Sequence, residues 1–250
     1  MPYQPSTLKL SRSALKLFQE CPRCFWLDLH HKIKRPPGYP YTLSAAVDYL
    51  VKQEFDGYRI KDILPPVFDG IDAKLYKGPE LPDWRNNFRG VSYFDEALNA
   101  ILYGAVDDIL EFPDGSLAVV DYKSSGSREI TIYDDYRKQM EIYSYLMAQN
   151  GFKVQPHAYF VFYLVQKDGG GFKNFLPFKE ELRRIDVQPE WVDATFEQAV
   201  KVARQNHAPE GHPECKHCSF VLRAGEFNPL TVKSSKKNIS DLEQLPLHEF

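Results

Sequence analysis

No stretch of this 250-residue chain is long and apolar enough to cross a membrane as a helix. The opening residues, MPYQPSTLKLSRSALK, lack the apolar core of a secretory leader, so the expected compartment is the cytoplasm. Basic charge is not in excess. Thirty-one Lys and Arg face 34 Asp and Glu, a formal net charge of −3, which excludes a chain-wide electrostatic case for nucleic acid. Any basic footprint must be local, and the two clusters present, HHKIKR (30–35) and RNNFR (85–89), read by themselves as solvated surface. Cysteine is scarce, with four in all, and a reducing compartment argues against disulfides between them. Internal repeats are absent, which removes solenoids and propellers. What remains is 43% hydrophobic and 14% aromatic, enough for one sizeable core.

Periodicity gives the order of elements. Residues 11–20 read as a short helix capped by Ser11 or Ser13 and ended by Pro22. After a Pro-rich connector, Thr42 or Ser44 opens a second helix. Its stripe is Leu43, Ala46, Val47, Leu50, Val51 and Phe55, and Gly57 marks its expected end. Residues 60–87 are broken by LPPVFDG and KGPELPDW and read as a loop-rich insertion. Strands follow at 88–94, 100–112 and 117–123, the last two joined by the Pro113-Asp114-Gly115 turn. A helix over 133–150, a buried strand over 157–166, a return strand over 172–178 and a helix over 189–206 complete the pattern. The expectation is an α/β fold, a mixed sheet flanked by helices. We expect one domain over 1–225 and a flexible polar tail over 226–250.

The apolar strand 117–120 ends by delivering Asp121, Tyr122 and Lys123 in succession. Side chains alternate along a strand, so Asp121 and Lys123 share one face and Tyr122 takes the other. The PDG turn brings Asp107 near the same end. Two carboxylates this close stay ionised together only with a cation between them. A hard divalent ion, Mg²⁺ or Mn²⁺, suits oxygen ligands, with the backbone carbonyl of Tyr122 completing the set. Such an ion lowers the pKa of a bound water and neutralises a phosphodiester. Lys123 would orient the water or stabilise the developing charge. The plainer alternative is an exposed salt bridge at a strand end.

With Gly104-Ala105-Val106-Asp107, then Asp121-Tyr122-Lys123, then Gln139-Met140-Glu141-Ile142-Tyr143, the chain resembles the PD-(D/E)XK nucleases. Within them it is similar to the branch of RecB-type nuclease domains and CRISPR adaptation nucleases, whose motifs are GxxD, (D/E)xK and QxxxY in that order. LSRSALKLFQECPRCFWL also looks like that branch's opening, and the likeness touches residues 9–218. The resemblance implies a restriction-endonuclease-like αβββαβ core. It implies catalytic roles for Asp107, Asp121 and Lys123, and contacts of Gln139 and Tyr143 with the DNA backbone or the catalytic lysine. Ordinary core-edge packing is the alternative for that last pair. The branch carries a metal-binding histidine on the helix before the sheet. This chain has none there, and the register puts Asp48 at or next to that position, as a catalytic and metal-binding carboxylate, with Glu54 the weaker alternative.

The cysteines form two CxxC pairs, Cys21/Cys24 and Cys215/Cys218. That spacing lets two thiolates grip one metal, and two pairs make a four-thiolate site joining the termini. Zinc and iron–sulfur both accept four cysteines. Members of the resembled branch tie their termini with a [4Fe–4S] cluster, and the resemblance favours the cluster, with Zn²⁺ the alternative. His212 and His217 flank the late pair as substitutes.

The expected function is therefore a metal-dependent DNA nuclease, an exonuclease hydrolysing phosphodiester bonds. The implied partners are DNA and proteins of DNA repair or CRISPR adaptation, with no membrane. A catalytically degenerate nuclease fold that binds DNA or a protein, and a structural metalloprotein without nucleic acid, are the competing readings.

Overall fold

The computed structural model describes residues 7–38, 42–168 and 170–227. They fall into two compact units, Met1–His212 and Pro213–Phe250. The first contains the elements β1 (Leu8–Ser11), α1 (Arg12–Glu20), α2 (Pro22–His31), α3 (Thr42–Ile60), β2 (Lys74–Leu75), α4 (Leu81–Trp84), β3 (Val91–Asp95), β4 (Ala100–Gly104), β5 (Asp108–Glu111), β6 (Leu117–Ser125), α5 (Asp134–Gln149), β7 (His157–Val165), β8 (Phe178–Asp186) and α6 (Trp191–Ala203). In the second, the described residues form α7 (Lys216–Phe227).

The expected α/β class holds, as two mixed sheets. The smaller has the order β1-β4-β3, with β1 parallel and β3 antiparallel to β4. The larger runs β2-β5-β6-β7-β8, all antiparallel except the β6–β7 pair. Residues 100–112, expected as one strand, are two. The chain leaves the small sheet after Gly104 and joins the large one at Asp108. Its periodicity runs apolar through the break, which is why pattern alone does not show it.

Other boundaries also differ from expectation. Ser11 caps α1 as expected, its hydroxyl accepting from the Ala14 N–H at 3.1 Å. Pro22 does not simply stop the chain's first helix. It opens α2 as its first residue, where a fixed φ and a missing N–H cost nothing. Helix α3 runs through Gly57 to Ile60. The return strand lies at Phe178–Asp186, after the Gly-rich turn has been followed by a longer connection than expected. The insertion carries only the short β2, α4 and a single 3₁₀ turn, Pro66–Phe68. The expected polar tail lies, beyond Phe227, outside the described residues.

Alternation along β6 builds the layers. Leu117 and Val119 join a cluster with Met140, Leu146 and Met147 of α5 and with Phe160 and Phe162 of β7. Ala118, Val120 and Tyr122 face the other way, onto Val51 and Phe55 of α3 and onto Phe68. Helices α3 and α5 therefore cover opposite faces of the large sheet, and the charged end of β6 emerges between them.

Candidate functional site

The register of the β5–β6 hairpin decides where the acids meet. Asp108 pairs with Val120, so Asp107 comes opposite Asp121, just beyond the first rung. Asp107 sits in the break between the two sheets. There its Oδ2 accepts the Tyr122 N–H at 3.1 Å. The N–H and C=O of one strand residue face the same edge, so the Tyr122 carbonyl also faces the edge where β5 has ended. Asp107, Asp121 and Lys123 are thus brought to one place.

Asp121 is 1% exposed. Its Oδ2 pairs with Lys123 Nζ, and its Oδ1 accepts from Gln139 Nε2 at 2.8 Å. Gln139 also donates to the Tyr143 hydroxyl at 3.1 Å, and its Oε1 lies 3.5 Å from Lys123 Nζ. The two α5 residues, four apart and so on one face, clamp the end of β6. Tyr143 is buried as a core residue, and Gln139 is bonded to the carboxylate and close to the lysine. The Lys123 ammonium also lies over the Tyr136 ring, 4.8 Å from its centroid.

Gly104 explains how α5 comes so close. A Cβ at this position would stand 2.6 Å from Tyr143 Cε1, 3.2 Å from its Cδ1 and 3.3 Å from Arg12 Cβ. The glycine three residues before Asp107 is thus the seat of the Tyr143 ring.

Asp48 projects from α3 toward the same acids. Between it and Asp107 stands Lys52, which the sequence reading passed over. Its Nζ is 2.9 Å from Asp48 Oδ2 and 2.7 Å from Asp107 Oδ1. The Asp48–Lys52 spacing of four on a helix was the available signal. Glu54 is exposed on α3, and its charge acts on Tyr163 and Glu180.

The electrostatics follow from this packing. Burial, and then the charge of Asp107, push the Asp121 carboxyl up to about 7, against the pull of Lys123. Burial and Asp107 likewise raise Asp48, opposed by Lys52. Burial works to lower Lys52, but Asp107 and Asp48 outweigh it and the ammonium is held. Tyr143 is pushed up to about 12, chiefly by burial. Carboxylates that resist ionisation beside one another are relieved by a cation, and their oxygens are hard donors. Asp107 acts on Asp48 on one side and on Asp121 on the other, and carboxylate oxygens are donors of the kind that Mg²⁺ or Mn²⁺ takes.

Beneath Asp107 lies a second network that sequence reasoning missed. Asp108 is fully buried and accepts from Arg59, from Arg85 Nη2 at 2.7 Å and from the Tyr122 hydroxyl at 2.7 Å. Arg85 Nε donates to the Asp107 carbonyl at 2.8 Å, and its Nη1 reaches Asp56 at 2.7 Å. Arg85, expected on a solvated surface, is a partly buried support of the site. The DD pair splits its duties: Asp107 accepts from Lys52 and the Tyr122 N–H, and Asp108 from the arginines of the scaffold.

A cavity of about 610 Å³ opens beside these groups, lined among others by Lys16, Ser44, Asp48, Lys123 and Tyr136. A second, of about 600 Å³, continues past Lys123 to Ser125, Thr131 and Tyr133. Away from this cleft, the sulfurs of Cys21, Cys24, Cys215 and Cys218 all lie within 4.8 Å of one another. Four soft donors at that spacing fit one metal or one cluster. Among the described residues no helix is long and apolar enough to cross a membrane.

A family model described as the PD-(D/E)XK nuclease superfamily matches residues 41–222 of the chain. Among curated proteins, none matches it. Among solved structures, the chain is similar to one described as "Crystal structure of SSO0001", with 14% identity and a TM-score of 0.39 over 88% of this chain and 86% of that one.

Proposed function

The chain belongs to the PD-(D/E)XK nuclease superfamily, and from that premise we propose that it is a divalent-metal-dependent deoxyribonuclease that hydrolyses phosphodiester bonds as an exonuclease. Members of that superfamily are typically metal-dependent hydrolases. The observation that carries the reading is the convergence of Asp107 with the Asp121–Lys123 pair, clamped by Gln139, beside a cleft that Asp48 and Lys123 line.

Roles follow from position. Asp48, Asp107, Asp121 and the Tyr122 carbonyl hold the ion, Mg²⁺ or Mn²⁺. When bound, the ion acidifies water and offsets phosphate charge. Lys123 carries the one ammonium fixed to Asp121 at the cleft wall, so it orients the water and offsets the developing negative charge on phosphorus oxygens. Gln139 keeps Asp121 from rotating away. Tyr143 fixes Gln139 in turn, and the cleft beyond Lys123 receives the DNA backbone.

The order of GxxD, DxK and QxxxY supports a place among RecB-type nuclease domains and CRISPR adaptation nucleases, with partners in DNA repair or CRISPR adaptation and a cytoplasmic setting. In the same reading the four thiolates hold a [4Fe–4S] cluster, with Zn²⁺ the alternative, and the cluster ties the termini together.

One observation favours a second reading, a module that holds DNA without cutting it: the Lys52 ammonium already occupies the oxygens of Asp48 and Asp107. End-labelled single- and double-stranded DNA incubated with Mg²⁺, Mn²⁺ or EDTA separates the two. Metal-dependent release of end nucleotides, lost in Asp121→Asn, is expected. Binding that weakens with salt but never yields cleavage would establish the second reading.

A further inference from the structure

We propose that Lys52 is a built-in counter-ion of the Asp48–Asp107 pair, which holds the two ligands assembled in the metal-free protein and is exchanged for the divalent ion when that ion binds. The inference rests on the metal-dependent reading of the same carboxylates.

An Asp–Lys pair four apart on a helix is commonplace and contributes a little helix stability. The contact to Asp107 is of another kind. It joins α3 to the break between β4 and β5, across 55 residues of sequence, at 2.7 Å. The Lys52 side chain is only one-quarter exposed, so the ammonium is drawn in among carboxylates and not waved in solvent. Both oxygens of Asp107 already accept a bond. Oδ1 accepts from Lys52 and Oδ2 from the Tyr122 N–H. The second bond is fixed by the end of β6. The first is to a flexible four-carbon stem with three rotatable donors. A dication that Asp48 and Asp107 share would lie between their carboxylates, where the Lys52 ammonium bridges Asp48 Oδ2 and Asp107 Oδ1, and an ammonium and a dication that close repel each other. Of the two donors, Lys52 is the one that can swing out.

Two consequences follow. The acids are held together without metal, because Lys52 and Lys123 between them offset most of the charge of Asp48, Asp107 and Asp121. Metal affinity is also lower than the three carboxylates alone would give, since each binding event must displace an ammonium.

The test is metal binding to the intact chain, read by calorimetry and by thermal unfolding, independently of cleavage. Mn²⁺ is titrated into wild type, Lys52→Gln, Lys16→Gln and Asp107→Asn. Lys16 lines the same cavity but pairs with Glu20 and Asp135, so it controls for the loss of one nearby charge. Lys52→Gln should bind Mn²⁺ roughly tenfold tighter than wild type, and clearly tighter than Lys16→Gln. Its unfolding temperature should fall without metal and return to the wild-type value at saturating Mn²⁺, which a merely structural role would not give. Should Lys52→Gln fail to fold, Lys52→Arg is decisive. A guanidinium gripping both carboxylates should weaken Mn²⁺ binding several-fold, and unchanged or tighter binding overturns the exchange. If Asp107→Asn abolishes binding while Lys52→Gln binds no tighter than Lys16→Gln, the exchange is wrong and the metal reading stands. If wild type binds no Mn²⁺, or binds it equally in Asp107→Asn, the metal reading fails and takes the exchange with it.

Discussion

Replacing Gly104 with alanine adds one methyl group to a strand, and ordinarily that helps. Removing glycine's freedom in the unfolded chain stabilises a protein by about 0.4–1 kcal/mol where the backbone and space permit it. Here the space is taken. The new carbon would lie 2.6 Å from Tyr143 Cε1, closer than real carbon contacts, and the neighbour is an aromatic ring 3% exposed with no open side to retreat to. Arg12 Cβ at 3.3 Å blocks a shift the other way. Overpacking of a tight core costs about 1–3 kcal/mol, which outweighs the entropic gain. The net is roughly 1–2 kcal/mol, or a fall of about 2–8 °C in unfolding temperature for a protein of this size. The damage should also travel. A displaced Tyr143 ring loses the Gln139 bond at 3.1 Å, and Gln139 then holds Asp121 less firmly. The assay is a double-mutant cycle by thermal unfolding with Gly104→Ala, Tyr143→Leu and both, since leucine places no atom where Cε1 stands. A favourable coupling of about 1 kcal/mol or more is expected. A Gly104→Ala protein within about 0.5 kcal/mol of wild type, the range of an ordinary surface change, would refute the reasoning.

Asp108→Asn leaves Arg59 and Arg85 facing a neutral amide in a buried site. It should destabilise by about 3–5 kcal/mol in chemical denaturation, far more than Asp48→Asn at the half-exposed end of the cluster. In metal-free buffer the raised Asp121 carboxyl makes a stability contribution that is present at low pH and is lost as pH rises from the unfolded value near 4 toward about 7. Asp121→Asn should therefore flatten the stability–pH curve across that window, and an unchanged slope would assign the proton elsewhere. Cys→Ser at position 21, 24, 215 or 218 should lower unfolding temperature and metal content together. Iron and acid-labile sulfide in the purified protein would establish a cluster, and zinc alone would refute it.

Much of the site was legible because its motifs are local. GxxD, DxK and QxxxY each fit within a few residues, and strand alternation alone put Asp121 and Lys123 on one face. What was illegible depended on distance. Lys52 reads as half of an ordinary helix pair until Asp107 arrives from another element. Arg85 sits in a polar string that looks solvated, and only the fold shows it inserted beside Asp108. The break after Gly104 escaped notice because apolar residues continue through it, and the two sheets differ only in their partners. Strand β1 gives no sign of itself in four residues, since its reason to be extended is a parallel neighbour far along the chain.

That last pairing sets a schedule for synthesis. Leu8 stands in register with Ala100 and its N–H donates to the Asn99 carbonyl at 3.3 Å, and the Trp26 indole donates at 2.9 Å to the carbonyl of Gln205, a separation of 179 residues. His30 likewise bonds to the Ala203 carbonyl. On a ribosome adding about 5–20 residues per second, this earlier segment waits for its late partners for on the order of ten seconds or more. During that interval Leu15, Phe18, Phe25 and Trp26, all buried in the finished fold, have little of their eventual cover. Chaperone dependence should therefore concentrate on the N-terminal helices, and shortening the chain before residue 205 should release them to aggregation even though α3 to β8 are complete.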